Sequence, residues 1–261
     1  MWPYRGSWAL VTGASAGLGA EFARQLAARG THVALCARRR DRLEALAAEL
    51  RQRYDVDVRV HPMDLTEPGA PERLWAEVDA VARVDVLVNN AGFGRVGRFV
   101  EHPGDVWEEM IALNVTAATR LAHAALRAMG SRRRGAVLNV ASLAAFQPIP
   151  GMAVYAATKA YVLHWSEAIA EEARRDGLTV VTLCPGPVPT EFQQVAGARP
   201  VGPDTPGYVA PEAVVRVGLD ALARGRSPVV PGWLNRVAAA GVRRFPLRWV
   251  RRLAGAALRR M

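Results

Sequence analysis

"WALVTGASAGLGAEFARQLAARG", residues 8–30, decides how the rest of the chain is read. "WALVT" (8–12) has the apolar, β-branched character of a buried strand, and "EFARQLAARG" (21–30) places its apolar residues at helical spacing. Between them Gly13, Gly17 and Gly19 follow a G-x3-G-x-G spacing at a strand-to-helix junction. Glycines at such a junction let the backbone turn tightly and approach a pyrophosphate, whose charge meets the amides and dipole of a helix N-terminus. Taken alone, the stretch also fits a plain strand–helix turn.

The same alternation continues outward. "HVALC" (32–36), "VDVRV" (56–60), "DVLVN" (85–89), "AVLNVAS" (136–142), "TVVTLC" (179–184) and "PVV" (228–230) read as further strands, separated by helical patterns such as "DRLEALAAELRQR" (41–53). Strand–helix alternation implies right-handed βαβ units and a parallel sheet covered on both faces. The expectation is an α/β fold: one Rossmann-type, doubly wound parallel sheet of about seven strands over residues 1–230, with a helical extension over 231–261. A length of 261 residues suits one such domain. The Pro/Gly-rich loop from Pro185 to Pro211 follows the sixth strand and is a candidate substrate lid.

Composition narrows the classes. No run approaches the length of a membrane span, and the N-terminus enters strand-like sequence without an apolar signal region, so a cytoplasmic protein is expected. Cys36 and Cys184 lie far apart in apolar runs and read as small buried hydrophobes, neither a disulfide nor a metal pair. The net charge is +10, yet ten of the 34 basic residues follow the last acid, Asp220, so the first 220 residues are neutral. A neutral body without a recognition motif argues against nucleic-acid binding.

Of the 34 basic residues 33 are arginine; the one lysine is Lys159, in "YAATK" (155–159). A position that keeps lysine against that trend needs a compact ammonium and not a broad planar fork. With the glycine loop, this Y-x3-K pair resembles the short-chain dehydrogenase/reductase family in its single-domain branch, from about Trp8 to Thr190. Further landmarks fall in the family's order: "NNAG" (89–92), Asn114 in "MIALNV", Ser142 thirteen residues before Tyr155, and "PGPVPT" (185–190). The resemblance implies an oxidoreductase that moves a hydride between a nicotinamide cofactor and a ketone, aldehyde or alcohol, working as a homodimer or homotetramer.

The resemblance also assigns roles. Tyr155 is the acid/base, Ser142 holds the substrate oxygen, and Asn114 orients a water in a proton relay with Lys159. Free tyrosine titrates near pH 10, and a nearby ammonium favours tyrosinate. At i and i+4 the two side chains share a helix face, and Lys159 can reach the ribose hydroxyls as well. The implied cofactor contacts are Gly13, Ser15, Gly17, Leu18 and Gly19 in the first loop, Asp64 and Leu65 after the third strand, and Asn90, Ala91 and Gly92 after the fourth. Pro185, Gly186, Val188 and Thr190 after the sixth strand complete the set, with Tyr155 and Lys159. Where an NAD site ends its second strand with an acid, this chain has Cys36, Ala37, Arg38 and Arg39. Arg38 is expected to clamp a 2′-phosphate, with a hydrogen bond from Ser15, so NADP(H) is favoured over NAD(H).

Phe93, Gly94, Leu143 to Phe146, Met152, Pro187 and Phe192 are candidates to line a substrate cavity, and their apolar character points to a neutral, hydrophobic substrate. A catalytically idle nucleotide-binding protein on the same fold is the alternative, against which the intact Asn–Ser–Tyr–Lys set argues. In the tail, apolar residues at 247, 250, 254, 257, 258 and 261 form a helical stripe opposite Arg248, Arg252 and Arg259. Such a basic amphipathic helix suits either peripheral contact with an anionic membrane or packing within the protein.

Overall fold

The computed structural model describes residues 3–242. The chain runs β1 (Trp8–Thr12), α1 (Gly17–Ala28), β2 (His32–Ala37), α2 (Arg40–Arg53), β3 (Val58–Pro62), α3 (Ala70–Ala82) and β4 (Val84–Asn89). It continues through α4 (Gly104–Ile111), a π-turn (Ala112–Ala117), α5 (Ala118–Arg132), β5 (Ala136–Val140), α6 (Ala153–Arg174) and β6 (Thr179–Leu183). Last come α7 (Glu191–Ala196), α8 (Pro211–Arg224) and α9 (Trp233–Val242). The strands form one sheet in the order β3-β2-β1-β4-β5-β6, every pairing parallel.

The order reverses between β1 and β4, which opens a crevice at the carboxyl ends of these strands. The glycine loop, the end of "NNAG", Ser142, the Tyr155–Lys159 pair and the segment after β6 line a cavity at that edge. Because strand side chains alternate between faces, the continuous apolar runs serve two cores. On one face Ala9 and Val11 of β1 pack with Phe22 and Leu26 of α1 and Leu219 of α8. On the other, Leu10 packs with Leu74 of α3 and Leu121 of α5.

The sheet has six strands among the described residues, not about seven. Residues 228–230 meet β6 only through a single bridge, Val229 to Leu183. Pro228 and Pro231 flank that contact; with no N–H to donate, they stop the ladder from extending. Of the expected extension, α9 is present; the amphipathic stripe from 247 onward lies outside the described residues.

A buried polar chain ties the elements beneath the site. Asn89 of β4 donates to the Ala118 carbonyl at 2.8 Å and to Asn139 Oδ1 at 3.1 Å, and Asn139 of β5 donates to Ser166 Oγ of α6 at 2.9 Å. All three side chains are buried. Asn139→Leu removes one of the two acceptors of the Asn89 amide, whose bond to the Ala118 carbonyl remains, and takes from Ser166 Oγ its donor in a dry interior, at a cost of about 1–3 kcal/mol for each stranded group. Urea unfolding of the variant is expected to show a lower midpoint at unchanged slope; an unaltered midpoint would contradict this account.

Candidate active site

A cavity of about 810 Å³ opens at the carboxyl edge of the sheet. Gly13, Ser15, Gly17 and Leu18 line it from the first loop, and Arg38, Asp64 and Leu65 from the ends of β2 and β3. Asn90, Ala91 and Gly92 line it beyond β4, and Pro185, Gly186, Val188 and Thr190 beyond β6. Ser142, Tyr155 and Lys159 complete the wall. The expected apolar residues Phe93, Leu143, Ala144, Met152, Pro187 and Phe192 line it too, whereas Gly94, Ala145 and Phe146 stand behind that surface.

Close packing accounts for the glycines. Gly13 has φ +66°, and a Cβ there would stand 2.8 Å from Asn90 Nδ2, whose amide donates to the Thr12 carbonyl at 2.9 Å. Gly19 does not line the cavity; a side chain there would run into the Gly13 carbonyl, so its absence lets α1 close on the loop. Gly17, with φ +53°, lets Thr190 approach, since a Cβ would lie 3.1 Å from Thr190 Cβ. The glycine loop and the loop after β6 thus meet over the cleft.

Asn114 is buried below the cavity wall, at the π-turn that interrupts the α4–α5 helix. Its amide donates to the Phe93 carbonyl at 2.9 Å and to Thr158 Oγ1 at 3.1 Å, and its Oδ1 accepts from the Phe93 amide at 3.0 Å. The side chain is thereby committed to holding the "NNAG" segment. Gly92 makes room for it: a Cβ would stand 2.8 Å from Asn114 Oδ1 and 3.4 Å from Lys159 Nζ.

Tyr155 and Lys159 lie in the first turns of α6, both buried. Lys159 Nζ donates to the Val140 carbonyl at the end of β5, at 2.8 Å, and lies 5.9 Å from the centre of the Tyr155 ring. Burial lowers the Lys159 ammonium to about 8. It pushes the Tyr155 hydroxyl up to about 12, against the pull of a hydrogen bond with Ser142. The expected lowering of Tyr155 by the ammonium is therefore not what the protein alone displays: desolvation dominates at both groups, and the lysine's hydrogen bond goes to a carbonyl. Ser142 serves twice, since its Oγ also accepts from the Ala144 amide at 3.1 Å and caps the short 3₁₀ turn Leu143–Phe146. Cys36 and Cys184 are both buried free thiols, as expected, and burial pushes each up to about 12.

Two features escaped the sequence reading. Ser15 pairs with Arg39, not Arg38: Nε and Nη2 of Arg39 donate to Ser15 Oγ at 3.2 and 3.0 Å. Arg38, also at the cavity, lies 3.6 Å from Asp64 Oδ2 and 3.3 Å from Glu109 Oε1. The chain is extended through Arg39, so neighbouring side chains diverge, and adjacency in sequence gave no means of choosing between them. The second feature is Asn235 of α9, which donates to the Gly207 carbonyl at 2.8 Å and the Pro231 carbonyl at 2.9 Å. It is buried against Gly186 as well, and so joins α9 to both ends of the Pro185–Pro211 loop.

Residues 7–200 match the family model described as short chain dehydrogenase. A very-long-chain 3-oxoacyl-CoA reductase of Laccaria bicolor is 36% identical over 219 residues, covering 82% of this chain and 64% of the relative, so the chain spans just under two thirds of that protein. A short-chain dehydrogenase from Sphingobium yanoikuyae, solved in complex with NADPH, superposes with a TM-score of 0.82 at 34% identity, over 91% of this chain and 94% of that one. The bulky-bulky ketone specific alcohol dehydrogenase from Comamonas testosteroni superposes with a TM-score of 0.78 at 29% identity, over 91% and 92% of the two chains.

Asn235→Ala strands two carbonyls and unties α9 from the loop. We expect destabilisation of about 1–3 kcal/mol and faster protease cleavage within 197–210. Cleavage at the parent rate would show that Asn235 does not hold the loop.

Proposed function

Because the chain belongs to the short-chain dehydrogenase family of oxidoreductases, we propose that it interconverts ketones or aldehydes with alcohols, using NADP(H) and a neutral, hydrophobic substrate. The observation that carries this reading is the convergence of Ser142, Tyr155 and Lys159 on one cavity with the glycine loop. The glycine cradle and the amide-lined loops fit a dinucleotide: Gly13 and Gly17 take positive φ, and side chains on the glycines would collide with Asn90, Thr190 and the Gly13 carbonyl, which frame the cleft. Ser15, Thr190, the Asn90–Gly92 segment and Asp64–Leu65 would hold it, with Lys159 on the ribose hydroxyls. Once bound, the cofactor supplies or accepts the hydride.

The chain's own groups handle the oxygen and its proton. Ser142 and Tyr155 donate hydrogen bonds to the substrate oxygen, and in reduction Tyr155 gives up its proton to the nascent alkoxide. With its hydroxyl raised to about 12, Tyr155 is protonated at neutral pH, as this direction requires. Lys159 then stabilises the tyrosinate and returns the proton. Since the Asn114 side chain is bound to Phe93 and Thr158, its part in the relay falls to its main chain in the π-turn.

NADP(H) preference is supported by the want of an acid at the end of β2 and by the pairing of Arg39 with Ser15. A hydrophobic substrate is supported by the part of the cavity formed by Phe93, Leu143, Met152 and Phe192, by the long acyl chain in the name of the very-long-chain 3-oxoacyl-CoA reductase, and by the structural neighbour named for bulky-bulky ketones. The Pro185–Pro211 loop, tied to α9, serves as its lid. Exposed Ile111 and Tyr161 on α4 and α6 support self-association into a dimer or tetramer. α9 presents Trp233 and Val237 to solvent at 66% and 62% exposure, which supports peripheral contact with an anionic membrane at this basic end of the chain. No described helix is long and apolar enough to cross a membrane.

Turnover of NADPH with a panel of bulky ketones tests the activity. Lys159→Arg is expected to lower kcat/KM by about 100-fold, within the range of general acid–base contributions. Near-parental activity would remove Lys159 from the mechanism. With Lys159 at about 8, the charged form of the free enzyme is lost as pH rises through that value, so kcat/KM for NADPH should fall above pH 8. A flat profile between pH 7 and 9.5 would contradict the role of its charge. Co-flotation with vesicles rich in anionic lipid, weakened in Trp233→Ser, is expected of the membrane contact; equal flotation with neutral vesicles would rule out an electrostatic one.

A further inference from the structure

The β2–α2 turn carries a set of donors that is already occupied. Arg39 divides its guanidinium: Nε and Nη2 donate to Ser15 Oγ at 3.2 and 3.0 Å, while Nη1 donates to Glu191 Oε2 at 2.9 Å. Arg42, in the first turn of α2, donates to the other oxygen, Glu191 Oε1. Glu191 comes from the opposite wall, the first residue of α7, one position after Thr190. Hydrogen bonds from Arg42 and Arg39 hold its carboxyl below the usual carboxylate range, so it is an anion at neutral pH. A hydroxyl and two guanidinium groups around one acidic group are the donor set a phosphate would use, and here a carboxylate from the chain itself fills part of it.

We propose that Glu191 is a specificity-determining residue: its carboxylate competes with the 2′-phosphate of NADP(H) for Arg39, whereas NAD(H) leaves the Glu191–Arg39 contact in place. The inference rests on the reading of this cavity as a nicotinamide-cofactor site. A phosphate at Ser15 and Arg39 would bring a second anion against Glu191 on one guanidinium, so Arg39 exchanges partners and gains less than a free arginine would. α7 also borders the reacting centre. Phe192, the next residue, sets its ring 5.2 Å from the Tyr155 ring, and Gly94 has no side chain where a Cβ would meet Phe192 Cζ at 2.7 Å. The cap of α7 is independent of Arg39: Thr190 Oγ1 accepts from the Phe192 amide at 3.3 Å, and Gln193 Oε1 from the Thr190 amide at 3.1 Å.

Fluorescence titrations of the full chain with NADPH and NADH at fixed salt test this, with 2′,5′-ADP against 5′-ADP as probes that lack the nicotinamide. Glu191→Gln, which keeps the shape and removes the charge, is expected to tighten NADPH and 2′,5′-ADP by about three- to tenfold and to leave NADH and 5′-ADP within about twofold. Arg39→Ala should weaken NADPH and make Glu191→Gln silent in the double variant. The inference is overturned if Glu191→Gln weakens NADPH, shifts both cofactors equally, or acts undiminished without Arg39. If the parent protein binds neither cofactor, the dehydrogenase reading itself fails, an outcome distinct from binding that ignores Glu191.

Discussion

One buried ammonium sets the terms on which the carboxyl edge of the sheet is built. Lys159 is 6% exposed and its hydrogen bond runs to a main-chain carbonyl, that of Val140, and not to a carboxylate. Taking an ammonium out of water costs several kcal/mol even after relaxation, and the lowering of Lys159 to about 8 expresses that cost. The surroundings are shaped to tolerate it. Gly92 is bare where a Cβ would press on Asn114 and the ammonium, and Asn114 is pinned between Phe93 and Thr158. The Asn89–Asn139–Ser166 chain fixes β4, β5 and α6 relative to one another, and so fixes the carbonyl and the lysine that meets it.

The same burial moves Tyr155 and Lys159 in opposite directions. A tyrosine raised to about 12 keeps its proton for delivery, and a lysine near 8 exchanges protons readily around neutrality. The ordinary expectation, in which the ammonium lowers the tyrosine, needs the charge to outweigh desolvation. At 5.9 Å from the ring and bound to Val140, Lys159 does not achieve this in the protein alone. Hydroxyl groups brought beside Lys159 would stabilise its charged form and shift the balance back towards tyrosinate. In the free protein the tyrosine keeps its proton, and the balance is adjustable by what fills the cleft.

What was legible in the sequence was whatever a short-range pattern encodes. The β1–α1 stretch declared itself through periodicity and three glycines, and Lys159 stood out because 33 arginines surround one lysine. Long-range choices were not legible. Arg38 and Arg39 are equivalent as letters; only the direction of the chain leaving β2 gives Ser15 to Arg39. Glu191 and Arg42 are 149 residues apart, and nothing local links them. Asn235 sits in an unremarkable helical run, and its role appears only when the loop folds back so that Gly207 and Pro231 both present carbonyls to it. The seventh strand failed for a local reason that could have been read: "PVV" is flanked by prolines that cannot extend a ladder.

The cavity is divided by the chemistry of its walls. Towards β2 it is lined by Ser15, Arg38, Arg39 and Asp64; towards α9 by Phe93, Leu143, Met152 and Leu234. Tyr155 lines the same cavity, in contact with Phe192. α7 spans the two halves, with Glu191 on the arginines and Phe192 on the tyrosine. α9 closes the apolar half with Leu234 and Ala238 while turning Trp233 and Val237 outward. The acids and bases of the first 220 residues balance, and the net charge of +10 lies in the residues after Asp220.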